Sequence, residues 1–102
     1  MNFQLDTIAI KKAAMIIRSV NHKLRNSIIK LLLENDKLTV TEIFIKLRLE
    51  QSVASQHLSI LRRSGFAETT REGKNIYYSI NKEKLASIQS IVLNLIEDYK
   101  AK

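Results

Sequence analysis

Cysteine is absent from the 102 residues, which excludes disulfides, thiol redox sensing, thiolate metal sites and a cysteine nucleophile together. Glycine occurs only twice, at Gly65 and Gly73, too few for a backbone loop that cradles phosphate. Histidine also occurs twice, and no His-Asp-Ser or paired-carboxylate arrangement stands out, so the inventory argues against an enzyme. The apolar runs are short and interrupted by charge, and the N-terminus has no signal core followed by small residues. A cytoplasmic chain is expected, with no membrane partner, no catalytic residue and no cofactor. Acidic residues are the remaining scarcity. Seventeen Lys and Arg against ten Asp and Glu give a net charge of +7, which favours polyanionic partners, nucleic acid among them. Charge alone does not decide, because many basic proteins are merely soluble.

What is present suffices for one domain spanning residues 1–102, although a chain of this length buries only a modest core. An apolar stripe left over after folding would therefore indicate pairing between copies. The first segment, from about Asp6 to Val20, places Ile10, Ala13, Ile17 and Val20 at steps of three and four, a narrow helical seam. From Lys11 to Lys30 there are six basic residues and no acidic one, a cationic outer face that meets solvent, DNA or an acidic partner. Asn21 is the expected N-cap of a second helix through KLRNSIIKLLL, whose stripe is Leu24, Ile28, Leu31 and Leu32. The turn ENDK follows. Thr39 and Glu42 then form a capping box that starts a short third helix with Val40, Ile43 and Leu47 inward. Only Arg48 to Glu50 separate it from the next helix. Two helices joined so tightly must cross steeply, as in a helix-turn-helix.

The fourth helix, from about Gln51 to Ser64 and stopped by Gly65, carries the most information. At 3.6 residues per turn Ala54, Leu58 and Leu61 coincide as its buried side. The opposite face is then Ser52, Gln56, Ser59 and Arg63, flanked by Gln51, Ser55 and His57. From Gln51 to Ile60 there is no formal charge in a chain that is 26% charged, whereas ordinary surface helices in basic proteins carry Lys and Glu. Uncharged polar groups suit base edges. A Gln amide pairs bidentately with adenine, Ser hydroxyls donate or accept, and exposed methyls of Val53 can meet a thymine methyl. Positive charge returns at the margins, where phosphates would lie: Arg62 and Arg63 at the end of the helix, then Arg71 and Lys74 beside a hairpin turn at Glu72-Gly73. The strand NIYYSI, with Ile76, Tyr78 and Ile80 on one face, makes that hairpin a wing. Across residues 48 to 75, five basic and three acidic residues leave only +2, so the region is not a strong electrostatic patch.

The last segment, from about Lys82 to Tyr99, sets Leu85, Ile88, Val92, Leu95 and Tyr99 on the same three-four repeat, widened by Ile91 and Ile96. Seams at both ends exceed what one small core can bury. A homodimer is the consequence, with Ile10, Ala13, Ile17, Leu85, Ile88, Val92, Leu95 and Tyr99 between subunits.

The expected fold is thus mainly α with a small β-hairpin wing, a dimeric winged helix-turn-helix of order α-α-α-α-β-β-α. That order resembles the ArsR/SmtB family of bacterial winged-helix repressors across nearly the whole chain. SVNHKLRNSIIKLL, with Arg25, is similar to the family's entry to helix two, and SVASQHLSILRRSGFAETTREGKNIYYSI to its recognition helix and wing, including Ser55, His57 and Leu58. The resemblance implies a dimer on a palindromic operator of double-stranded DNA, with half-sites about 34 Å apart. His57 then either contacts DNA or hydrogen-bonds at the edge of the helix-turn-helix. The family's metal-sensing pattern Glu-Leu-Cys-Val-Cys-Asp-Leu is replaced here by Lys37-Leu38-Thr39-Val40-Thr41-Glu42-Ile43, and no His lies between Asn81 and Lys102. No metal site is expected, and no small-molecule effector is identified. The competing class is a winged-helix adaptor that binds protein or dimerises without operator preference.

Overall fold

In the computed structural model, residues 6–100 are described, with side chains as far as Glu97. Asp6 caps the first helix, α1 (Thr7–Val20), its carboxylate accepting from the backbone N–H of Ala9. The next helix, α2 (Lys23–Glu34), is capped by His22 and not by Asn21 as expected; His22 Nδ1 accepts from the N–H of Leu24 at 3.1 Å. Asn21 is instead the C-cap of α1, its N–H bonding to the Arg18 carbonyl, so the break comes one residue later. Arg25 reaches back to the end of α1 and donates to the Ser19 and Arg18 carbonyls. These are terminal carbonyls with no partner inside the helix, and a cation there also complements the helix dipole.

A two-residue strand, β1 (Leu38–Thr39), precedes α3 (Val40–Lys46). Two residues show no periodicity, which is why the sequence gives no sign of this strand. The capping box is complete: Thr39 Oγ1 accepts from the Glu42 N–H at 3.2 Å, and Glu42 Oε1 accepts from the Thr39 N–H at 3.1 Å. Then come α4 (Gln51–Arg63), β2 (Ala67–Glu72), β3 (Asn75–Ile80) and α5 (Lys82–Lys100). The sheet is antiparallel in the order β1-β3-β2, with Leu38 opposite Tyr78 and Ala67 opposite Ile80. The wing is therefore braced on its open side by β1. Its turn residues are Gly73-Lys74 and not Glu72-Gly73, since Glu72 still pairs with Asn75. Gly73 has φ +62 while Lys74 does not enter the positive region, which is the turn with glycine at its first central position that matches strand twist.

The core gathers one face from each central element: Ile28, Ile29 and Leu32 of α2, Ile43 of α3, Leu58 and Leu61 of α4, and Phe66 and Ile80 around the wing base. Ala54, Leu58 and Leu61 are fully buried, as the helical spacing requires. Burial fades outward along β3, from Ile80 through half-buried Tyr78 to exposed Ile76, as the wing leaves the body. Leu85 and Ile88, expected between subunits, pack against this chain's own core, because the first turns of α5 lie directly over it. Beyond them Val92 is half-buried, while Ile91, Leu93, Leu95 and Ile96 are exposed. Of the exposed large hydrophobic residues, Ile8, Ile10, Met15 and Ile17 lie on α1 and Ile91, Leu93, Leu95 and Ile96 on α5. The radius of gyration is 16.2 Å, against about 13 Å for a compact chain of this length. No helix among the described residues is long and apolar enough to cross a membrane.

Candidate nucleic-acid interface

Two matching stops hold α4 in place. At its C-terminal end the N–H of Gly65 bonds to the Arg62 carbonyl and that of Phe66 to the Leu61 carbonyl, with Gly65 at φ +85. This Schellman geometry needs a left-handed residue, which glycine supplies without strain. The same pair of bonds ends α3: Arg48 N–H to Ile45 and Leu49 N–H to Phe44. There the left-handed residue is Arg48, at φ +53, so the helix-turn-helix bend contains a strained arginine. Sequence reading passed over Arg48 because it lacks the glycine signature of such a stop.

The outward face of α4 is as uncharged in three dimensions as in sequence. Gln51, Ser52, Ser55, Gln56 and Ser59 are exposed, and among the described residues their side chains make no hydrogen bond. Val53, expected to expose its methyls, is half-buried, since it adjoins the stripe of Ala54. Glu50 precedes the helix without a side-chain cap hydrogen bond, which leaves the first-turn N–H groups without a capping side chain, a position that suits a phosphate. Arg62 and Arg63 are exposed at the other end, and Arg63 Nε donates to the Ser59 carbonyl at 3.4 Å.

On the wing, Arg71 and Lys74 are exposed, and Arg71 Nε folds over the turn to the Gly73 carbonyl at 3.4 Å. Glu72 is neutralised by Lys37, which lies just before β1, and Lys37 also sits 4.8 Å from the Tyr77 ring centre. The Glu72 hydrogen bond holds the Lys37 ammonium above its ordinary pKa. This pairing removes one of the two acids that dilute the wing's positive charge.

His57 is half-buried where α2 meets α4. Its Nδ1 lies 3.4 Å from Arg25 Nη1, and its ring centre is 4.7 Å from that of His22. Burial first, then His22 and Arg25, push its pKa below the ordinary value. The dimer candidates divide: Ile10, Ala13, Ile17 and Leu95 are exposed, Leu85, Ile88 and Val92 are half-buried, and the Tyr99 side chain lies outside the described residues.

A thiolate-type metal site does not fit this chain. Thr39 offers a neutral hydroxyl already used as a helix cap, His57 stands beside the cationic Arg25, and His22 Nδ1 is committed to the α2 N-terminus. Among the described residues no three His, Cys, Asp or Glu side chains cluster to hold an ion.

The profile of the arsR family of bacterial regulatory proteins matches residues 22–69, the span from the α2 cap into the wing. The transcriptional activator HlyU of Vibrio cholerae is 30% identical over 93% of this chain and 87% of its own length. The transcriptional repressor PagR of Bacillus anthracis is 32% identical over 86% of this chain and 88% of its own. A homodimeric winged helix-turn-helix DNA-binding domain from Mycobacterium bovis superimposes with a TM-score of 0.73 at 26% identity, covering 96% of this chain and 92% of that one.

Proposed function

The chain belongs to the arsR family of bacterial regulatory proteins, and from that premise we propose that it is a homodimeric repressor that binds a palindromic operator in double-stranded DNA. The observation that carries this reading is the outward face of α4. It is exposed, uncharged and rich in Ser and Gln, while the cations Arg62, Arg63, Arg71 and Lys74 stand at its margins. Base edges are read by such groups and phosphates are held by such cations, so the two tasks fall to different residues. Gln51, Ser52, Val53, Ser55, Gln56 and Ser59 take the bases. The role is binding, with no catalytic step.

The pairing of subunits is supported by the apolar seams left open on α1 and α5, and the M. bovis domain is described as homodimeric. Ile10, Ala13, Ile17, Val92 and Leu95 are the residues we assign to that contact, with Tyr99 extending it. The named relatives include both an activator and a repressor. Repression is the simpler assignment, because occupancy of the operator achieves it without a further contact.

Salt titration tests the reading. Binding to a selected operator should weaken steeply with added salt, with a log–log slope near −0.9 per neutralised phosphate, and should exceed binding to random DNA by about a thousandfold or more. Equal affinity for all duplexes, together with salt-insensitive capture of a protein partner, would favour the adaptor instead.

A further inference from the structure

Three arginines from three helices converge on one cleft, and of the three only Arg63 has a place in the DNA-binding reading above. Arg18 of α1, Arg25 of α2 and Arg63 of α4 line a cavity of about 410 Å³, within the range of about 300–1,000 Å³ typical of small-molecule sites. No carboxylate lines it. Among the described residues the sole ion pair is Lys37 with Glu72 of the wing, so none of the three guanidinium groups is ion-paired with a described carboxylate. Like charges brought together without one repel, which favours a bound anion. The low pKa direction of His57, due in part to Arg25, reports the same positive field next door.

The rest of the lining is apolar: Met15, exposed on α1, and Ile60, half-buried on α4. The two serines do not compete for donors, since the Ser19 hydroxyl donates to the Ile16 carbonyl and the Ser64 hydroxyl to the Ile60 carbonyl. Arg25 is partly committed, to the Ser19 and Arg18 carbonyls and to His57, and retains N–H groups beyond those three contacts. Arg18 has no side-chain hydrogen bond at all among the described residues. At 100° per residue, Met15 lies nearly half a turn around α1 from the seam of Ile10, Ala13 and Ile17, and Arg18 a little under a third of a turn from it.

We propose that this α1–α2–α4 cleft binds a small amphipathic carboxylate, its head held by Arg18 and Arg63 with Arg25 behind them and its apolar body laid on Met15 and Ile60. Arg63 also stands at the phosphate margin of α4, so an occupant withdraws it from DNA. That regulatory consequence rests on the DNA-binding reading; the binding itself does not.

The test uses the full chain without DNA, isotope-labelled at methyl groups, titrated with octanoate, octanol and inorganic phosphate. Octanoate should saturate with shifts at the Met15 and Ile60 methyls, while the two half-ligands bind at least about tenfold more weakly, the loss of one charge-assisted contact or of the apolar tail. Arg18→Gln, at an exposed position, should lower octanoate affinity about tenfold without changing the thermal unfolding midpoint. Octanol binding as tightly as octanoate, or no saturable shift at Met15 and Ile60, overturns the proposal. So does an Arg18→Gln variant that binds octanoate normally but shows a DNA salt slope reduced by about one, because the cleft would then belong to a DNA phosphate.

Discussion

Helices α4 and α5 carry the same three-four apolar repeat and meet opposite fates. In α4, Ala54, Leu58 and Leu61 are 0% exposed, clamped between α2, α3 and the wing base. In α5, Leu85 and Ile88 reach the core and Val92 is half-buried, but Ile91 and Leu95 are 52% and 58% exposed. An amphipathic pattern states which face of a helix seeks cover; it does not state whether the cover is the same chain or a second copy. The geometry of the neighbours decides. Helix α4 is flanked by α2, α3 and the wing, whereas α5, about 28 Å long, outruns a core of this size.

The sharpest way to break the comparison is to truncate each stripe in turn. Leu58→Ala should destabilise the protein by about 2–5 kcal/mol, because the side chain is fully enclosed and the surrounding helices collapse only partly into the gap. Denaturant unfolding measures it. Leu95→Asp should leave the fold of one subunit intact by circular dichroism, yet shift sedimentation from dimer to monomer at micromolar concentration. A Leu95→Asp variant that still sediments as a dimer would place the interface elsewhere.

Next in size is the division of labour on the DNA face. Gln56→Ala should relax base preference at one operator position by about 1–3 kcal/mol with the salt slope unchanged, whereas Lys74→Ala should weaken all duplexes alike and lower the slope by about one. Equal effects of both changes on specific and random DNA would dissolve the distinction between the uncharged face and its margins.

A third comparison sets the two helix stops against each other. Gly65→Ala should destabilise by about 1–2 kcal/mol, since it places a Cβ in the left-handed region, and that Cβ would sit 3.2 Å from Lys84 Nζ. Arg48→Gly should do the reverse and relieve strain of about 1 kcal/mol, less the added freedom of the unfolded chain. If Arg48→Gly also weakens DNA binding, the strained arginine is retained for contact and not for the bend.

The smallest effect is expected from pH. The folded pKa of His57 is depressed below 6.5, so the unfolded chain binds the extra proton first. Its contribution to stability is full above 6.5 and is lost as the pH falls through that value toward the folded pKa. His57→Gln should flatten this part of the pH–stability curve. An unchanged curve would assign the dependence to other groups.

Much of this architecture is legible in the residues alone. The capping box at Thr39 and Glu42, the buried face of α4, the stop at Gly65 and the wing all follow from local chemistry that tertiary contacts do not override. The missed features are those that local rules cannot reach. The β1 strand exists only because Tyr77 and Tyr78 of a distant segment offer it a partner, and the Arg48 stop carries a residue that is unfavourable there. The repeat of α5 is uniform while its distance from the core is not, so spacing alone does not show that Leu85 and Ile88 also pack against this chain's own core. The arginine cleft depends on residues up to 45 positions apart, Arg18 and Arg63, and no spacing within one helix could suggest it.

The most direct measurement is selection of bound fragments from a random duplex library by the intact protein. The account predicts enrichment of a palindrome whose half-sites lie about 34 Å apart, one helical turn or a multiple of it, and loss of preference at a symmetric pair of positions in Gln56→Ala. Recovery of no enriched sequence, or of a single half-site without symmetry, would contradict a dimer reading bases through the uncharged face of α4.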